Sequence, residues 1–419
     1  MPDLAPETQP STARNISSFG ITSFFNDTAS EMAYWVLPAF LVSLGAGPAQ
    51  LGIIEGIAES VASLAKLFSG YLTDRIEKRK PLVVTGYLVA NAVKPLLAIV
   101  TSWWQILLIR FSDRLAKGVR GAPRDVMVAE SVAKDRLGSA YGLIQSMDSA
   151  GAIAGPLLAL FLLGRFGIRS VFWAAAVPGA LAVLVAVFGI RETRPNPVVD
   201  ADRRTKAAAL RAGGTTEAAV APRVGLPSTF YFVLAAVTLF SLGNSSDMFL
   251  VMRAQSVGIS VGLAPLLGLV FNVTYTLGSW PAGRFSDRFS RRWIAAAGYF
   301  IFAAVYFVFG RAPSPLAIWV TMAVYGIYYA LTQPVLKALV VESVRQEVRG
   351  RALGIYFFMT SVATLAASLI TGELWKHYGA ALPFFLSAAL AVLSALLLLL
   401  TPLTAEQQED SRLQRTRAS

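Results

Sequence analysis

The 419-residue chain is 55% hydrophobic and 15% charged, and its formal net charge is +12. Ordinary soluble domains carry about 25% charged residues, so the composition excludes most soluble enzymes and indicates a polytopic helical membrane protein. There is no cysteine and one histidine, His377, which excludes disulfides, thiolate metal sites and sites built from several histidines. We therefore expect neither a metal nor a cofactor.

Long apolar runs separated by short polar segments predict twelve transmembrane helices. A helix needs about 20 residues to cross the hydrocarbon core, so twelve crossings use on the order of 240 residues. The predicted helices, numbered 1 to 12, cover 18–44, 49–72, 81–101, 104–129, 138–163, 168–190, 228–251, 262–284, 292–311, 315–341, 351–374 and 380–402.

These helices form two predicted six-helix bundles, at residues 16–190 and 227–402. Between them lies segment 191–226, which is polar, basic and rich in Ala, Pro and Gly, a composition typical of a flexible linker. Residues 1–15 and 403–419 are predicted to be tails. The predicted fold is therefore all-α, with two pseudo-symmetric membrane bundles.

The placement of Lys and Arg predicts the orientation. Of these 37 residues, 24 lie on the side of both termini and the linker, 5 lie on the opposite side and 8 lie within apolar segments. Cytoplasmic loops are enriched in Lys and Arg, so the termini and the linker are predicted to be cytoplasmic. This distribution accounts for the basic charge without a nucleic-acid partner. We expect a multi-pass protein in a bacterial cytoplasmic (inner) membrane.

The two halves of the sequence repeat at an offset of 212 or 213 residues. Three short patterns recur: Gly70-x-x-x-Asp74-Arg75 as Gly283-x-x-x-Asp287-Arg288, Glu130-Ser131-Val132 as Glu342-Ser343-Val344, and Gly138-x-Ala140-x-Gly142 as Gly350-x-Ala352-x-Gly354. Parallel repeats joined by a linker are a transporter architecture. In that architecture the substrate site is expected at the repeat interface, near the middle of the bilayer.

The first of these patterns resembles the loop signature of the major facilitator superfamily. The segment reads Gly70-Tyr-Leu-Thr-Asp74-Arg75-Ile-Glu-Lys78-Arg79-Lys80, with Glu77 where the signature has glycine. The resemblance covers essentially the whole chain and implies the major facilitator fold and secondary transport by alternating access.

The same loop is predicted to act as a gate, in which basic residues pair with acids across the interface between the halves. The alternative is a simple turn in a positively charged loop. The gating candidates are Asp74, Arg75, Arg79, Arg124, Asp125, Asp287 and Arg288.

Predicted helix 5 resembles a signature of the drug-efflux antiporter branches of the superfamily. It contains Gly142, Gly151 and Gly155-Pro156, but has Ala159-Leu160 where the family pattern ends in Gly-Gly. Gly151 and Gly155 are expected to let a neighbouring backbone approach closely, and Pro156 is expected to kink the helix. Ordinary packing of small residues is the alternative.

Predicted helix 4 carries a stripe of cations that includes Arg110, Arg114, Lys117 and Arg124. A Lys or Arg facing lipid at mid-membrane costs at least ~2.5–3.5 kcal/mol, so the stripe is expected to face protein or a watery cavity. The N-terminal half contains seven intramembrane cations and seven acids, a balance that paired networks need. For any single pair, a purely structural role is the alternative.

Buried carboxylates that exchange partners can couple a proton to a conformational equilibrium. The proton-coupling candidates are Glu31, Asp27, Asp148, Glu55 and Glu59. Glu31 ranks first, because helix 1 lines the cavity in the family that the chain resembles and because Asp247 of predicted helix 7 aligns with it. The candidates for the cavity and the substrate site are Arg110, Arg114, Lys117, Lys94, Asn26, Trp35, Asn244, Asp247, Asn272, Tyr325 and Gln333.

The predicted function is proton-coupled efflux of small molecules, driven by a proton gradient and carried out by a monomer. The first alternative is an uptake permease or exchanger for an organic anion held by Arg110, Arg114 and Lys94, because guanidinium groups bind carboxylate and phosphate in a bidentate manner. The second is a membrane sensor or scaffold that does not transport. The substrate is not identified at this level, because side chains from several helices shape the pocket.

Overall fold

The computed structural model describes residues 10–73, 76, 78–132, 137–193, 226–288, 290–311, 314–344 and 349–400, some of them by their backbone alone. Within these ranges the regular structure is helical. The α-helices are α1 (Pro10–Tyr34), α2 (Leu37–Ser43), α3 (Pro48–Thr73), α4 (Lys80–Val93), α5 (Trp103–Glu130), α6 (Leu137–Phe166), α7 (Ile168–Ala174), α8 (Ala176–Phe188), α9 (Ser228–Gly243), α10 (Met248–Ser256), α11 (Ala264–Arg288), α12 (Arg291–Arg311), α13 (Pro315–Glu342), α14 (Arg349–Tyr378) and α15 (Ala381–Leu399).

Every one of the twelve predicted segments is helical, but some are interrupted. Predicted helices 1, 6 and 7 each consist of two α-helices, and predicted helix 3 continues as a 3-10 helix over Lys94–Ile99. In the described part of the chain, nine helical stretches are long and apolar enough to cross a membrane. The other three, predicted helices 1, 2 and 4, contain most of the intramembrane charges of the N-terminal half. A total of twelve crossings remains a prediction.

Four glycines with positive φ mark turns at equivalent places in the two halves. Gly45 (φ 76°) and Gly258 (φ 96°) follow α2 and α10, and their offset is 213. Gly167 (φ 77°) and Gly379 (φ 85°) precede α7 and α15, and their offset is 212. This backbone conformation strains residues that have a side chain, whereas glycine adopts it freely. The sequence repeat is thus also a repeat of backbone structure.

The described helices pack into two compact units. The first contains Met1–Tyr34 and Val61–Gly225, and the second contains Trp35–Ser60 and Leu226–Ser419. In the first unit α1 packs against α6 and α8, and α4 packs against α5. In the second unit α13 packs against α11 and α12, and α15 packs against α9 and α12. Residues 35–60, which the sequence placed in the N-terminal bundle, therefore group with the C-terminal helices.

Two glycines of α6 bring its backbone close to α1. A Cβ atom at Gly155 would lie 2.7 Å from the Thr28 carbonyl oxygen and 2.8 Å from the Cβ atom of Glu31. A Cβ atom at Gly151 would lie 3.2 Å from the Cβ atom of Asp27. The helix–helix contact therefore requires small residues at these positions. It also places two acids of α1 against α6.

Candidate functional site

A buried ionic network lies in the first unit and is centred on Asp113 of α5. One carboxylate oxygen of Asp113 lies 3.5 Å from Lys94 Nζ, and the other lies 3.8 Å from Arg110 Nη1. These three residues, called here the ionic network, are between 5% and 8% exposed. Burying a charge is costly unless it is paired, so Asp113 is what allows two cations to occupy this position.

Local structure positions Lys94 for this contact. The residue lies where α4 gives way to the 3-10 helix, immediately before Pro95. Proline has no N–H group for the next helical hydrogen bond, and a tighter helical turn is a common way to end an α-helix. Arg110 is held from a second side, because its guanidinium lies 5.6 Å from the centre of the Tyr34 ring.

Two asparagines connect the ionic network to α1. Lys94 Nζ donates to Asn91 Oδ1 over 3.1 Å, and Asn91 Nδ2 donates to Asn26 Oδ1 over 3.1 Å. Asn26 Nδ2 in turn donates to Asp27 Oδ1 over 3.0 Å. A chain of three hydrogen bonds thus runs from an ammonium group on one helix to a carboxylate on another. Asn26 was a candidate from the sequence, whereas Asn91 belongs to no recognisable motif.

Two further cations of α5, Arg120 and Arg124, contact neighbouring helices, and Arg124 also contacts the adjacent acid Asp125. Arg120 lies 4.3 Å from the centre of the Tyr87 ring and donates to the Gly86 carbonyl oxygen. Arg124 lies 3.3 Å from Asp125 Oδ1 and also donates to Ser23 Oγ on α1. Arg114 is half-buried, and Lys117 is exposed.

Three of the proton-coupling candidates lie close together between α1 and α6. Asp27 and Glu31 are half-buried on α1, where their Cβ atoms face Gly151 and Gly155. Asp148 is half-buried on α6 and interacts electrostatically with Asp27, Arg124 and Lys117. The structure therefore gathers acids from two helices next to the cations of α5.

Arg79 pairs with an acid of its own unit. Its Nη1 lies 2.6 Å from Glu130 Oε2, which also accepts a hydrogen bond from Thr193 Oγ1. The side chain of Glu192 accepts hydrogen bonds from the backbone N–H groups of Arg79 and Lys80 at the start of α4, where a carboxylate is favoured by the helix dipole.

In this structure Arg79 pairs within its own half and not across the two halves, and its gating role stays a prediction. Glu130 is the last residue of α5, which packs beside α4, and this puts an acid of the same half within reach. The other gating candidates stay untested. Asp74 and Arg75 lie outside the described residues, and so do the side chains of Asp287 and Arg288. The side chain of Gln333, a candidate for the cavity, also lies outside them.

A second site lies in the second unit and is centred on Asp247. Asp247 precedes α10, in the break that follows α9. Its Oδ1 accepts a hydrogen bond from the Tyr325 hydroxyl over 2.6 Å, and its Oδ2 accepts one from the Tyr329 hydroxyl over 3.2 Å. Both tyrosines lie on α13, four residues apart and therefore on one face of that helix.

Aromatic rings extend this site. The ring centre of Phe271 lies 5.1 Å from that of Tyr329, 5.7 Å from that of Tyr325 and 6.2 Å from that of Trp35. Trp35 is 1% exposed and packs directly on Gly268 of α11. We call Asp247, Tyr325, Tyr329, Phe271 and Trp35 the acidic aromatic cluster. Asn272 is buried, and Asn244 is half-buried at the end of α9.

Two further acids of the second unit act on Asp247. Glu55 is fully buried and accepts a hydrogen bond from Ser246 Oγ over 3.1 Å. Glu55 and Glu59 both interact electrostatically with Asp247. The cations whose side chains are described in this unit lie at helix ends, namely Arg253, Arg291, Arg292, Arg311 and Lys376. Among the described side chains of the second unit, the acids Asp247, Glu55 and Glu59 therefore lie away from the cations.

The offset of the backbone repeat bears on which residue of the first half corresponds to Asp247. The offset of 213 that relates Gly45 to Gly258 also relates Tyr34 to Asp247 and Glu31 to Asn244. At this offset Asp247 does not correspond to Glu31. The repeat at this offset therefore gives no reason to prefer Glu31 to Asp27 as the proton carrier.

Ionisable residues within membrane segments are rare and mark pathways of substrates, ions or protons. Residues 19–253 and 231–418 match the family model of the Major Facilitator Superfamily. The chain belongs to this superfamily. This confirms the predicted family and helical fold, and it makes the protein a multi-pass membrane transporter rather than an enzyme.

Relatives and solved structures agree with this family. The chain is 32% identical over 398 residues to the uncharacterised MFS-type transporter MJ1317 of Methanocaldococcus jannaschii, a match that covers 92% of this chain and 94% of the relative. It is 24% identical over 374 residues to the multi-drug resistance efflux pump PmrA of Streptococcus pneumoniae, covering 86% and 90%. A POT family transporter, solved with a thioalcohol-conjugated peptide, has a TM-score of 0.73 at 12% identity, with 92% and 95% of the two chains covered.

Proposed function

We propose that the protein is a proton-coupled exporter of small molecules that works by alternating access of its two halves. The observation that carries the proposal is the sharing of Asp113 by Lys94 and Arg110. An anionic substrate would have to displace this carboxylate from two buried cations, at the cost of leaving Asp113 without its partners. The arrangement therefore favours a substrate that is not an anion. The similarity to PmrA supports efflux as the direction of transport.

Asp27 is the proton carrier in this proposal. It lies near Asp148, a second acid, and at the end of the hydrogen-bond chain that starts at Lys94. A carboxylate in such a place changes its proton occupancy when its neighbours move, and this is how proton binding can favour one conformation over another. Glu31 is the next candidate, because it occupies the same face of α1 one helical turn away.

The half-buried members of the acidic aromatic cluster, Asp247 and Tyr329, are the proposed contact site for the substrate, and the buried rings hold them in place. Ring faces attract cations, and a carboxylate adds a directional partner. Asp247, Glu55 and Glu59 together make this part of the second unit acidic. We therefore propose that exported molecules carry a positive charge or several hydrogen-bond donors beside an apolar body.

A transport assay tests the coupling. The protein is reconstituted in proteoliposomes, and ethidium accumulation is followed with and without an imposed pH gradient. We expect gradient-driven accumulation in the wild type. We expect Asp27→Asn to abolish it while preserving ethidium exchange at equal pH, because exchange does not require net proton movement. Accumulation that ignores the gradient would contradict proton coupling.

Two further outcomes separate the alternatives. If Asp27→Asn and Glu31→Gln both retain gradient-driven accumulation, the carrier lies elsewhere, and Asp148 and Glu55 are tested next. If benzoate is accumulated and ethidium is not, and if Arg110→Gln abolishes benzoate uptake, the protein is instead an anion permease that uses the ionic network. Asn15→Ala, which removes a buried amide whose hydrogen-bond partners are Ser131 and Arg191, serves as the control for general damage.

A further inference from the structure

The hydrogen bonds between Lys94 and Asp27 all point in one direction. An ammonium group can only donate, and an ionised carboxylate can only accept. Lys94 therefore requires the carbonyl oxygen of Asn91, whose amide nitrogen then faces Asn26 Oδ1. The amide nitrogen of Asn26 in turn faces Asp27. The two end charges thus fix the orientation of both amides.

Packing holds Asn91 in this orientation. The residue is 5% exposed, and its Nδ2 also donates to the Tyr87 carbonyl oxygen over 2.9 Å. On the side of α8, a Cβ atom at Gly179 would lie 3.1 Å from the Asn91 side chain. Asn91 therefore has little freedom to rotate, and a change at one end of the chain affects the other end.

We propose that Asn26 and Asn91 form an amide relay that couples the charge of Asp27 on α1 to the Lys94–Asp113 ion pair between α4 and α5. The proposal rests on the proposed proton coupling, because Asp27 is the carrier there. Asn91 is a positioning residue in this scheme: it touches neither substrate nor proton, and it fixes how Lys94 divides its charge between two acids.

The relay has a defined consequence when Asp27 takes up a proton. Neutral Asp27 no longer requires the donor end of Asn26, so the amides lose one of the two charges that orient them. Lys94 then depends on Asp113 alone. In the opposite sense, loss of Asp113 leaves Lys94 to act on Asp27 through the relay, which favours ionised Asp27. Proton uptake on α1 is thereby linked to the contact between α4 and α5.

Other charged groups face the relay and its ends, and they set its background field. They are Asp148 on α6, Glu31 on α1, and Arg110, Arg114, Lys117, Arg120 and Arg124 on α5. None of these residues is changed in any variant of the test. Their electrostatic contribution is therefore the same in every variant and cancels when variants are compared.

A double-mutant cycle measures the coupling without transport. Thermal unfolding midpoints are determined for the purified protein, Asp27→Asn, Asp113→Asn and the double variant. The double variant leaves Lys94 without either acid, so we expect it to be less stable than the sum of the single effects by about 3 °C or more. In an Asn91→Ala background, the deviation from additivity should fall below about 1 °C.

Asn15→Ala provides a matched background. Asn15 is also 5% exposed and also makes three hydrogen bonds, two to the backbone of Arg191 and one to Ser131 Oγ. It does not touch the relay, so the deviation from additivity should persist there. If Asn91→Ala does not fold, Asn26→Ala breaks the neighbouring link and should have the same effect.

Transport supplies the second measurement. In the wild type and in Asn15→Ala, Asp113→Asn should move the pH midpoint of gradient-driven ethidium transport to lower pH by about one unit, because Lys94 then acts through the relay on Asp27 alone. In Asn91→Ala the shift should be less than about 0.3 units. An equal shift in all three backgrounds, with an unchanged thermal cycle, would overturn the relay and leave proton coupling intact. An Asn91-dependent thermal cycle without any pH dependence of transport would support the relay and overturn the proposed function.

Discussion

Asp113 of the ionic network and Tyr325 of the acidic aromatic cluster occupy equivalent positions in the two halves of the sequence. At an offset of 212, Lys94 corresponds to Tyr306, Asp113 to Tyr325 and Lys117 to Tyr329. The helices that carry most of these residues match end to end, since α5 spans Trp103–Glu130 and α13 spans Pro315–Glu342. The repeat has therefore kept the backbone and replaced charged side chains by tyrosines.

The replacement changes what each half tolerates. A buried charge needs a partner of opposite sign, so the residues of the ionic network depend on one another. A tyrosine buries a large ring and has a single polar atom. Tyr325 can therefore be fully buried while its hydroxyl donates to Asp247. This difference fits a division of labour in which one half handles the proton and the other contacts the substrate.

The largest expected effect comes from breaking the ionic network. Asp113→Ala leaves Lys94 and Arg110 buried without their shared acid, which should cost about 3–5 kcal/mol of stability. Tyr325→Phe, at the equivalent position, removes one hydrogen bond to a charged group and should cost about 1.5–3 kcal/mol. Denaturation of the two purified variants in the same detergent measures both. A smaller loss for Asp113→Ala than for Tyr325→Phe would contradict the comparison.

A medium effect is expected at the contact between α1 and α6. Gly155→Ala places a methyl group 2.7 Å from the Thr28 carbonyl oxygen, and overpacking of this kind costs about 1–3 kcal/mol. The equivalent residue in the second half is Ala367, which is buried and already carries a Cβ atom. Gly142→Ala, on the same helix as Gly155 and with open space around it, should be neutral or stabilising by up to about 1 kcal/mol. Equal unfolding midpoints for the two variants would refute the close approach.

The acidic aromatic cluster is tested with two ions of matched shape. Tetraphenylphosphonium and tetraphenylborate carry opposite charges on the same four rings. Equilibrium dialysis should show that the protein binds the cation in preference to the anion, and that Asp247→Asn weakens cation binding about tenfold. Asp113→Asn is the control in the other half and should change cation binding less than threefold. Equal binding of the two ions would remove the charge preference from the proposal.

The last prediction concerns the orientation of the chain in the membrane. It has the smallest expected effect on transport, because the labelled variants should transport normally. The chain has no cysteine, so single cysteines can be introduced without background. Thr205→Cys in the linker should react with a membrane-impermeant maleimide only after the cells are opened. Ser260→Cys, which follows α10 at an exposed position, should react in intact cells. The reverse pattern would invert the predicted topology.

Local sequence determined the helices and their repetition. Apolar runs of about 20 residues form membrane helices regardless of their neighbours, because a backbone in lipid must satisfy its own hydrogen bonds. The glycines that end these helices recur with the same offset as the loop motifs, and the total balance of charge is a property of composition. The close contact at Gly151 and Gly155 was also foreseeable, since small residues at helical spacing mark places where helices approach.

Tertiary structure decided which polar groups meet. Neither Asp113 nor Asn91 belongs to a recognisable motif, yet these two residues link the cations of the first unit to α1. Arg79 forms an ion pair with Glu130 of its own half. At the offset of 213 residues, Asp247 corresponds to Tyr34 and not to Glu31. Partners of this kind lie tens of residues apart in the chain. Their pairing depends on helix rotation and on the positions of helix breaks, which are properties of packing and not of local sequence.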